Sequence, residues 1–293
     1  MQRLLEAAYA SNTRRAYRSD IDSFRRWGGH LPSDVSEIAA YIADQAEVLS
    51  PMTIRRHLAA LSQLHKALGI SPNPVKSPHI GAMLRGLSRL HGRPQRAVIP
   101  LLITDLRAIL DIIPDTTIGS RDACLLALGF AGGLRRSELV GLDVSDVQIA
   151  ASGICLHLKR SKTDQAGKGR TVGIPVGRTK YCPTRILTHW LSDARLQDGP
   201  LLRAVTKSGT VKPQRLSSEA VATVVKKWVA KIGLCPADYS GHSLRAGFVI
   251  SAIQAGASEH SIRKQTGHAS SATMERYIRI ANVFEDNACN RLF

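Results

Sequence analysis

The sequence predicts a mainly α-helical protein with a small β-sheet, divided into two domains. Apolar residues recur every three or four positions between helix-start and helix-stop signals over most of the 293 residues. Strict alternation of apolar and polar residues, which is typical of strands, is confined to residues 154–176. A polar, basic and proline-containing segment, HGRPQRAV at 91–98, has little to bury and is typical of an interdomain linker.

The charge of the chain favours a polyanionic partner. There are 40 Lys and Arg residues against 23 Asp and Glu, which gives a net charge of +17, and the hydrophobic fraction of 44% is ample for packed cores. A merely solubilising surface would balance its basic residues with acidic ones, so the surplus points to nucleic acid.

Other features of the sequence predict the cellular location of the protein and the state of its cysteines. No apolar run reaches membrane-spanning length and the N-terminus lacks a signal-peptide pattern, so we expect no membrane association and a cytoplasmic location. No C-x-x-C pair occurs, which predicts reduced thiols and no zinc site. The cysteines are scattered as Cys124, Cys155, Cys182, Cys235 and Cys289.

Residues 1–90 predict four helices. The first, SNTRRAYRSDIDSFRRW, has an apolar stripe on one face and ends at Gly28 and Gly29. Three more are predicted over residues 33–45, 50–69 and 79–90. In the third of the four, leucines 58, 61, 64 and 68 are expected to face a core. The opposite face of the first helix is arginine-rich, which suits contact with a DNA backbone. Its arginines are Arg14, Arg15, Arg18, Arg25 and Arg26.

The helical pattern resumes after the linker. Thr104 is a plausible cap for TDLRAILDII, and the almost wholly apolar run RDACLLALGF predicts a buried helix. This run leads into AGGLRRSELVGL, where Arg135 and Glu138 lie three residues apart. That spacing allows an ion pair that would orient the arginine.

A β-hairpin and two further helices follow. Alternating residues at 154–158 and 172–176 flank the polar, glycine-bearing turn SKTDQAGKG, which predicts two paired strands. Amphipathic helices are then predicted over about 184–194 and within LSSEAVATVVKKWVAKIG.

The last fifty residues predict three short helices that deliver polar groups. Ser240, Ser258 and Ser271 can start them, and Gly256 and Gly267 can end the first two. His242 and Arg245 share a helix face, His268 follows the second helix, and the third carries Tyr277. Cations, imidazoles and a phenol near one another suit a site that handles a phosphate.

This stretch resembles the catalytic motif of the tyrosine recombinases, the phage integrase family. The family pattern is H-x-x-R, then a G-H or G-W pair, then a tyrosine nine residues on; this chain has HSLR, TGH and MERY, with 277 − 268 = 9. GLRRSEL is similar to the family's G-L-R-x-S-E-L. The N-terminal pattern T-x-x-x-Y-x-x-D-x-x-x-F-x-x-W is matched by Thr13, Tyr17, Asp20, Phe24 and Trp27.

The resemblance implies an organisation and a site. It implies an N-terminal four-helix core-binding (SAM-like) domain at 1–90, a linker at 91–98 that serves as a hinge, and a C-terminal α+β catalytic domain at 99–293. No cofactor and no metal are expected, since arginines replace the metal at the phosphate. The implied catalytic residues are Arg135, Lys162, His242, Arg245, His268 and Tyr277.

Alternatives exist for two of these positions. Lys162 lies in the hairpin that carries the family's catalytic lysine, and its rivals there are Lys159, Arg160 and Lys168. Tyr181 and Tyr239 are other tyrosines near the predicted site, but neither lies in a matching motif.

The resemblance implies a site-specific DNA recombinase that cleaves and rejoins DNA through a 3′-phosphotyrosine intermediate and a Holliday junction. Its expected partners are double-stranded DNA with specific recombination sites, further copies of the chain in a tetramer on DNA, and accessory DNA-bending proteins. The tail, about 280–293, would dock on a neighbouring protomer, or else pack on its own domain. A nucleoid-associated location follows. The rival functions are a type IB topoisomerase-like enzyme and a DNA-binding protein with a dead site.

Overall fold

The chain divides into two compact units, residues 1–96 and 97–293. The computed structural model describes residues 11–92, 98–159, 169–268 and 271–281, together with Cys289 and Leu292. The predicted linker at residues 91–98 remains a prediction, because residues 93–97 lie outside the described part of the chain. Within that part, no helix is both long and apolar enough to cross a membrane.

The first unit contains the four predicted helices. Asp34, Ser50 and Ser77 each accept a hydrogen bond from the backbone N–H three residues on, which caps the last three helices. Leu68 was predicted to face the core but is 52% exposed, because it lies at the C-cap, past the last turn. The five arginines of the first helix are exposed. The helices are α1 (Ser11–Trp27), α2 (Val35–Gln45), α3 (Pro51–Ala67) and α4 (Pro78–Leu90).

The second unit surrounds one nearly all-buried helix. This helix, α6, carries the predicted apolar run, and its residues from Cys124 to Phe130 are buried. Thr104 does not cap α5, which begins one residue earlier; the Asp105 carboxylate accepts from the Leu102 N–H instead. The helices are α5 (Ile103–Ile112), α6 (Thr117–Ala131), α7 (Arg136–Gly141), α8 (Pro183–Asp193), α9 (Ser218–Lys231), α10 (His242–Gln254), α11 (Glu259–Thr266) and α12 (Ser271–Ala281).

Two antiparallel sheets complete the described part of the unit. The predicted hairpin is present as β2 (Gly153–Leu158) and β3 (Arg170–Pro175), with β1 (Val147–Ala150) added at its edge. A second hairpin pairs β4 (Arg203–Val205) with β5 (Val211–Arg215). The mainly helical class with small sheets is therefore confirmed. β1, β4 and β5 were not predicted, because each is short: β1 and β5 expose most of their residues, and the three residues of β4 are all half-buried, so none shows a buried–exposed alternation.

A close backbone approach fixes the helix that matters most for the site. The Leu101 N–H donates to the Ser243 carbonyl, and a Cβ added to Gly247 would lie 1.6 Å from the Leu101 carbonyl oxygen. Only glycine allows this contact. Helix α10, which carries His242 and Arg245, is thus held against the start of α5.

Candidate active site

Five of the six predicted catalytic residues lie close together in the second unit. Arg135 is the N-cap of α7, His242 and Arg245 lie on α10, His268 follows α11, and Tyr277 lies on α12. The sixth, Lys162, is in the segment 160–168, outside the described residues.

Arg135 is held by Glu138, as the three-residue spacing predicts. The Glu138 carboxylate accepts from the Arg135 guanidinium at 2.6 Å and from the Arg135 backbone N–H at 2.9 Å. Burial alone would raise the pKa of Glu138, but the Arg135 N–H and the Arg170 and Arg135 guanidiniums outweigh it and lower that pKa. Glu138 therefore stays ionised. It aims Arg135, whose Nη2 lies 3.5 Å from the Gly267 carbonyl.

Arg245 is the most deeply buried cation of the site, at 1% exposed. Its Nη1 donates to the Gly133 and Thr266 carbonyls at 2.6 and 2.7 Å, which ties together the turn before Arg135 and the end of α11. Within the described part of the chain, its buried Nη2 has no hydrogen-bond partner. Burial and then Arg135 lower the pKa of Arg245 to about 10, so it stays charged at neutral pH. A buried donor without an acceptor fits an anionic ligand.

His268 leaves α11 through a tight left-handed turn. Gly267 has φ +68° and closes the helix, and a Cβ there would crowd the Arg170 side chain at 3.1 Å. The imidazole Nδ1 lies 2.9 Å from the Thr266 hydroxyl, and the ring lies 6.0 Å from the Tyr277 ring, centre to centre. Burial, Arg245 and Arg135 lower the pKa of His268 to about 4.

Tyr277 contacts His242 directly. The Tyr277 hydroxyl lies 3.0 Å from His242 Nε2. Burial raises the pKa of the phenol, although Arg245 and Arg276 act in the opposite direction. Burial, followed by Arg245 and other arginines, lowers the pKa of His242. At neutral pH the pair is therefore a phenol beside a neutral imidazole, which can accept the phenolic proton.

Arg170 also belongs to this cluster, although the sequence analysis did not single it out. Its Nη2 donates to Glu138 at 3.0 Å and its Nη1 to the Gln265 carbonyl, so it links β3 to α7 and α11. One feature of the sequence could have identified Arg170 as part of the site. Arg170 shares the buried strand face with Val172 and Ile174, and a charged residue on such a face needs partners.

The rival tyrosines lie elsewhere. Tyr239 is buried against the core of the second unit, and the Tyr181 hydroxyl donates to Asp111. Arg136 is exposed, in contrast to Arg135. Among the residues that the structure describes, no group of three or more His, Cys, Asp or Glu could hold a metal ion.

The low pKa of His268 makes a testable contribution to stability. Between pH 6.5 and about 4 the unfolded chain binds a proton at this histidine that the folded chain does not, so the free energy of unfolding falls as the pH is lowered through this window. Lowering the pH from 7 to 4.5 should reduce the free energy of unfolding of both proteins. We expect this reduction, measured by urea unfolding, to be roughly 1–2 kcal/mol smaller in His268→Gln than in wild type. Equal losses in the two proteins would contradict the prediction.

Comparison with known proteins identifies the family. Residues 101–282 match the phage integrase family, and residues 2–69 match its N-terminal SAM-like domain. The chain is 36% identical to an integrase/recombinase xerD homolog of Selenomonas ruminantium, over all of this chain and 88% of that protein. It is 27% identical to tyrosine recombinase XerD of Xanthomonas axonopodis pv. citri, over 94% of this chain and 89% of that protein.

Structural similarity agrees with these matches. The fold is similar to that of a lambda integrase dimer bound to a COC′ core site, with a TM-score of 0.67 and 16% identity over 98% of this chain and 76% of that one. Since a family model spans residues 101–282 and a relative is 36% identical over the whole length, the chain belongs to the phage integrase family of tyrosine recombinases.

Proposed function

We propose that this site-specific recombinase cuts DNA with Tyr277 and rejoins it to a partner strand. The observation that carries the proposal is the 3.0 Å contact between the Tyr277 hydroxyl and His242, beside the two arginines 135 and 245. This arrangement pairs a nucleophile with a base next to cations that suit a phosphodiester.

The arginines would bind the scissile phosphate. Arg245 offers its Nη2, which has no partner among the described residues, and Glu138 orients Arg135. Guanidinium groups can donate paired hydrogen bonds to the non-bridging oxygens and stabilise the charge that grows in the pentacoordinate transition state. His268 would add a further donor to the same phosphate.

Proton transfers complete the cleavage step. The Tyr277 oxygen forms a bond to phosphorus while the bond to the 5′-oxygen breaks, and the phenolic proton passes to His242 Nε2. We assign Lys162 as the acid that protonates the departing 5′-oxygen. The product is a 3′-phosphotyrosine and a free 5′-hydroxyl. Because the covalent link keeps the energy of the broken bond, the reverse attack by a 5′-hydroxyl of the partner duplex needs no ATP.

Double-stranded DNA is the proposed partner. The net charge of +17 and the exposed arginines of α1 support backbone contact, and a structurally similar protein, lambda integrase, is bound to a core site. Accessory DNA-bending proteins would assist assembly on the DNA.

We further propose that the tail, about 280–293, joins copies into a tetramer on DNA. The tail carries the apolar residues Val283, Phe284, Ala288, Leu292 and Phe293. Leu292 is 73% exposed, which favours contact with another copy. A largely apolar groove of about 550 Å³ in the second unit offers a docking place. It is lined by Ile103, Leu106, Phe130, Ile174, Phe248 and Ile262, among others.

Strand exchange between two labelled duplexes tests this function. The duplexes would carry a site selected from bound host DNA, and we expect wild type to yield joined products and Holliday junctions without ATP. Truncation after Ala281 is the matched variant, expected to form the covalent adduct on a single site but at least about 10-fold less exchanged product, because avidity between copies is lost. Relaxation of supercoiled DNA with no exchange would favour the topoisomerase-like rival. DNA binding with no adduct would favour a dead site.

A further inference from the structure

Thr266, the last residue of α11, contacts three parts of the site and is fully buried. Its carbonyl accepts from Arg245 at 2.7 Å. Its hydroxyl lies 2.9 Å from His268 Nδ1 and 2.7 Å from the Ile262 carbonyl. Its methyl lies beside Gly133, where an added Cβ would be 2.8 Å away. The side chain therefore has one polar contact with a proposed catalytic residue and one packing contact, and these can be separated.

The single hydroxyl proton of Thr266 determines which group donates in its contact with His268 Nδ1. A threonine hydroxyl has a single hydrogen, and the Ile262 carbonyl can only accept, so the hydroxyl donates to Ile262. The hydroxyl oxygen must then accept from His268, whose Nδ1 carries the proton. The remaining ring nitrogen, Nε2, is the one left for a ligand.

We propose that Thr266 is a positioning residue for DNA cleavage: its hydroxyl holds the His268 ring in the Nδ1–H form and presents Nε2 to the scissile phosphate. The proposal rests on the proposed function, since the orientation of His268 matters only if a phosphate binds beside it. To donate to that phosphate, His268 takes a second proton from solvent onto Nε2 when the anionic phosphate binds, which gives an imidazolium with Nδ1 on Thr266 and Nε2 on a phosphate oxygen. Because the Nδ1 contact restricts rotation of the imidazole ring, the ring is held in the orientation that presents Nε2 to the phosphate.

The local fold brings the His268 ring to the Thr266 hydroxyl. Gly267, in the left-handed conformation, turns the chain so that His268 comes back over the last turn of α11. The oxygen that Nδ1 contacts there is the Thr266 side-chain hydroxyl, while the Thr266 carbonyl accepts from Arg245 and the Ile262 carbonyl accepts from Thr266. An apolar residue at 266 could preserve the packing but would leave Nδ1–H without this acceptor.

Two substitutions separate the hydroxyl from the packing. Thr266→Val keeps the shape and the methyl beside Gly133 but removes the hydroxyl, whereas Thr266→Ser keeps the hydroxyl and removes the methyl. We expect the valine variant to form the covalent adduct on a nicked duplex about 10-fold more slowly at saturating DNA, with DNA affinity unchanged. The serine variant should stay within about twofold of wild type. The opposite order, serine slow and valine fast, would reduce Thr266 to a packing residue and overturn the proposal.

The protonation state can be read without any reaction. In the DNA-free protein labelled with ¹⁵N-histidine, we expect neutral His268 to carry its proton on Nδ1 in wild type and in Thr266→Ser, with the Nε2–H form increasing in Thr266→Val. His268→Gln assigns the signals. An Nε2–H imidazole in wild type would overturn the proposal even if the valine variant failed to fold.

A double substitution tests whether Thr266 acts through His268. In a His268→Ala background, Thr266→Val should cause no further loss of adduct formation, whereas a further 10-fold loss would mean that it acts elsewhere. These results are distinct from a failure of the proposed function, which would appear as no adduct in wild type while the histidine spectra still report the Nδ1–H form.

Discussion

Tyr277→Phe is expected to abolish the covalent protein–DNA adduct, lowering its rate of formation by at least about 1,000-fold. The substitution removes only the attacking oxygen. The ring stays packed beside Val249, Ile262 and Met274, so folding and DNA affinity should be preserved. The measurement is a denaturing gel of wild type and variant incubated with a nicked duplex of the selected site, in which the cleaved strand cannot be resealed.

Tyr181→Phe is the matched control for this experiment. It removes a phenolic hydroxyl from the same unit, but that hydroxyl donates to Asp111 and lies away from His242. We expect its adduct yield to equal that of wild type. An adduct that survives Tyr277→Phe but is lost in Tyr181→Phe or Tyr239→Phe would move the nucleophile and contradict the assignment.

Local signals explain why much of the site could be predicted from the sequence. Ser258 and Gly267 lie at the two ends of α11 as a capping side chain and a left-handed glycine, and each bonds to a residue no more than four positions away. The Arg135–Glu138 ion pair follows from a spacing of three. Such features depend on neighbours in the chain, so a single sequence is enough to find them.

The contacts that the sequence analysis missed join distant segments. Arg170 reaches Glu138, 32 positions away, and Gln265, 95 positions away, and no local pattern specifies either contact. Thr266 sits within the T-G-H motif, yet its hydroxyl matters only once Gly267 has turned His268 back upon it. The short strands β4 and β5 were missed for another reason: β4 has only three residues, and in β5 Pro213 and its polar neighbours obscure any alternation.

Arg245→Lys is expected to reduce adduct formation by at least about 100-fold at saturating DNA, and to destabilise the protein. Lysine keeps the charge but cannot present two nitrogens in a fixed plane, one to the backbone and one to a phosphate. Nη1 of Arg245 satisfies the buried Gly133 and Thr266 carbonyls, and leaving such a group without a donor costs about 1–3 kcal/mol. Urea unfolding of the DNA-free protein measures the second effect.

Arg136→Gln is the control that separates geometry from charge. Arg136 is the next residue to Arg135 but is exposed, and its removal lowers the net charge by one, which Arg245→Lys does not. We expect Arg136→Gln to weaken DNA binding in a salt-dependent way while keeping near wild-type cleavage at saturating DNA. If Arg136→Gln cleaved as poorly as Arg245→Lys, the positive charge of the site in general, rather than the geometry of the buried Arg245 guanidinium, would bind the phosphate.

The buried charge of Arg245 also predicts that a bound phosphate stabilises the fold. The Glu138 carboxylate, which is near enough to affect the pKa of Arg245, already binds Arg135 and Arg170, so the Arg245 cation is only partly compensated. A DNA phosphate at Nη2 would supply the missing negative charge and acceptor, and site DNA should therefore raise the Tm of cleavage-deficient Tyr277→Phe. The same DNA should raise the Tm of Tyr277→Phe/Arg245→Lys much less. Equal increases would mean that DNA binds without engaging Arg245, and would remove it from the phosphate site.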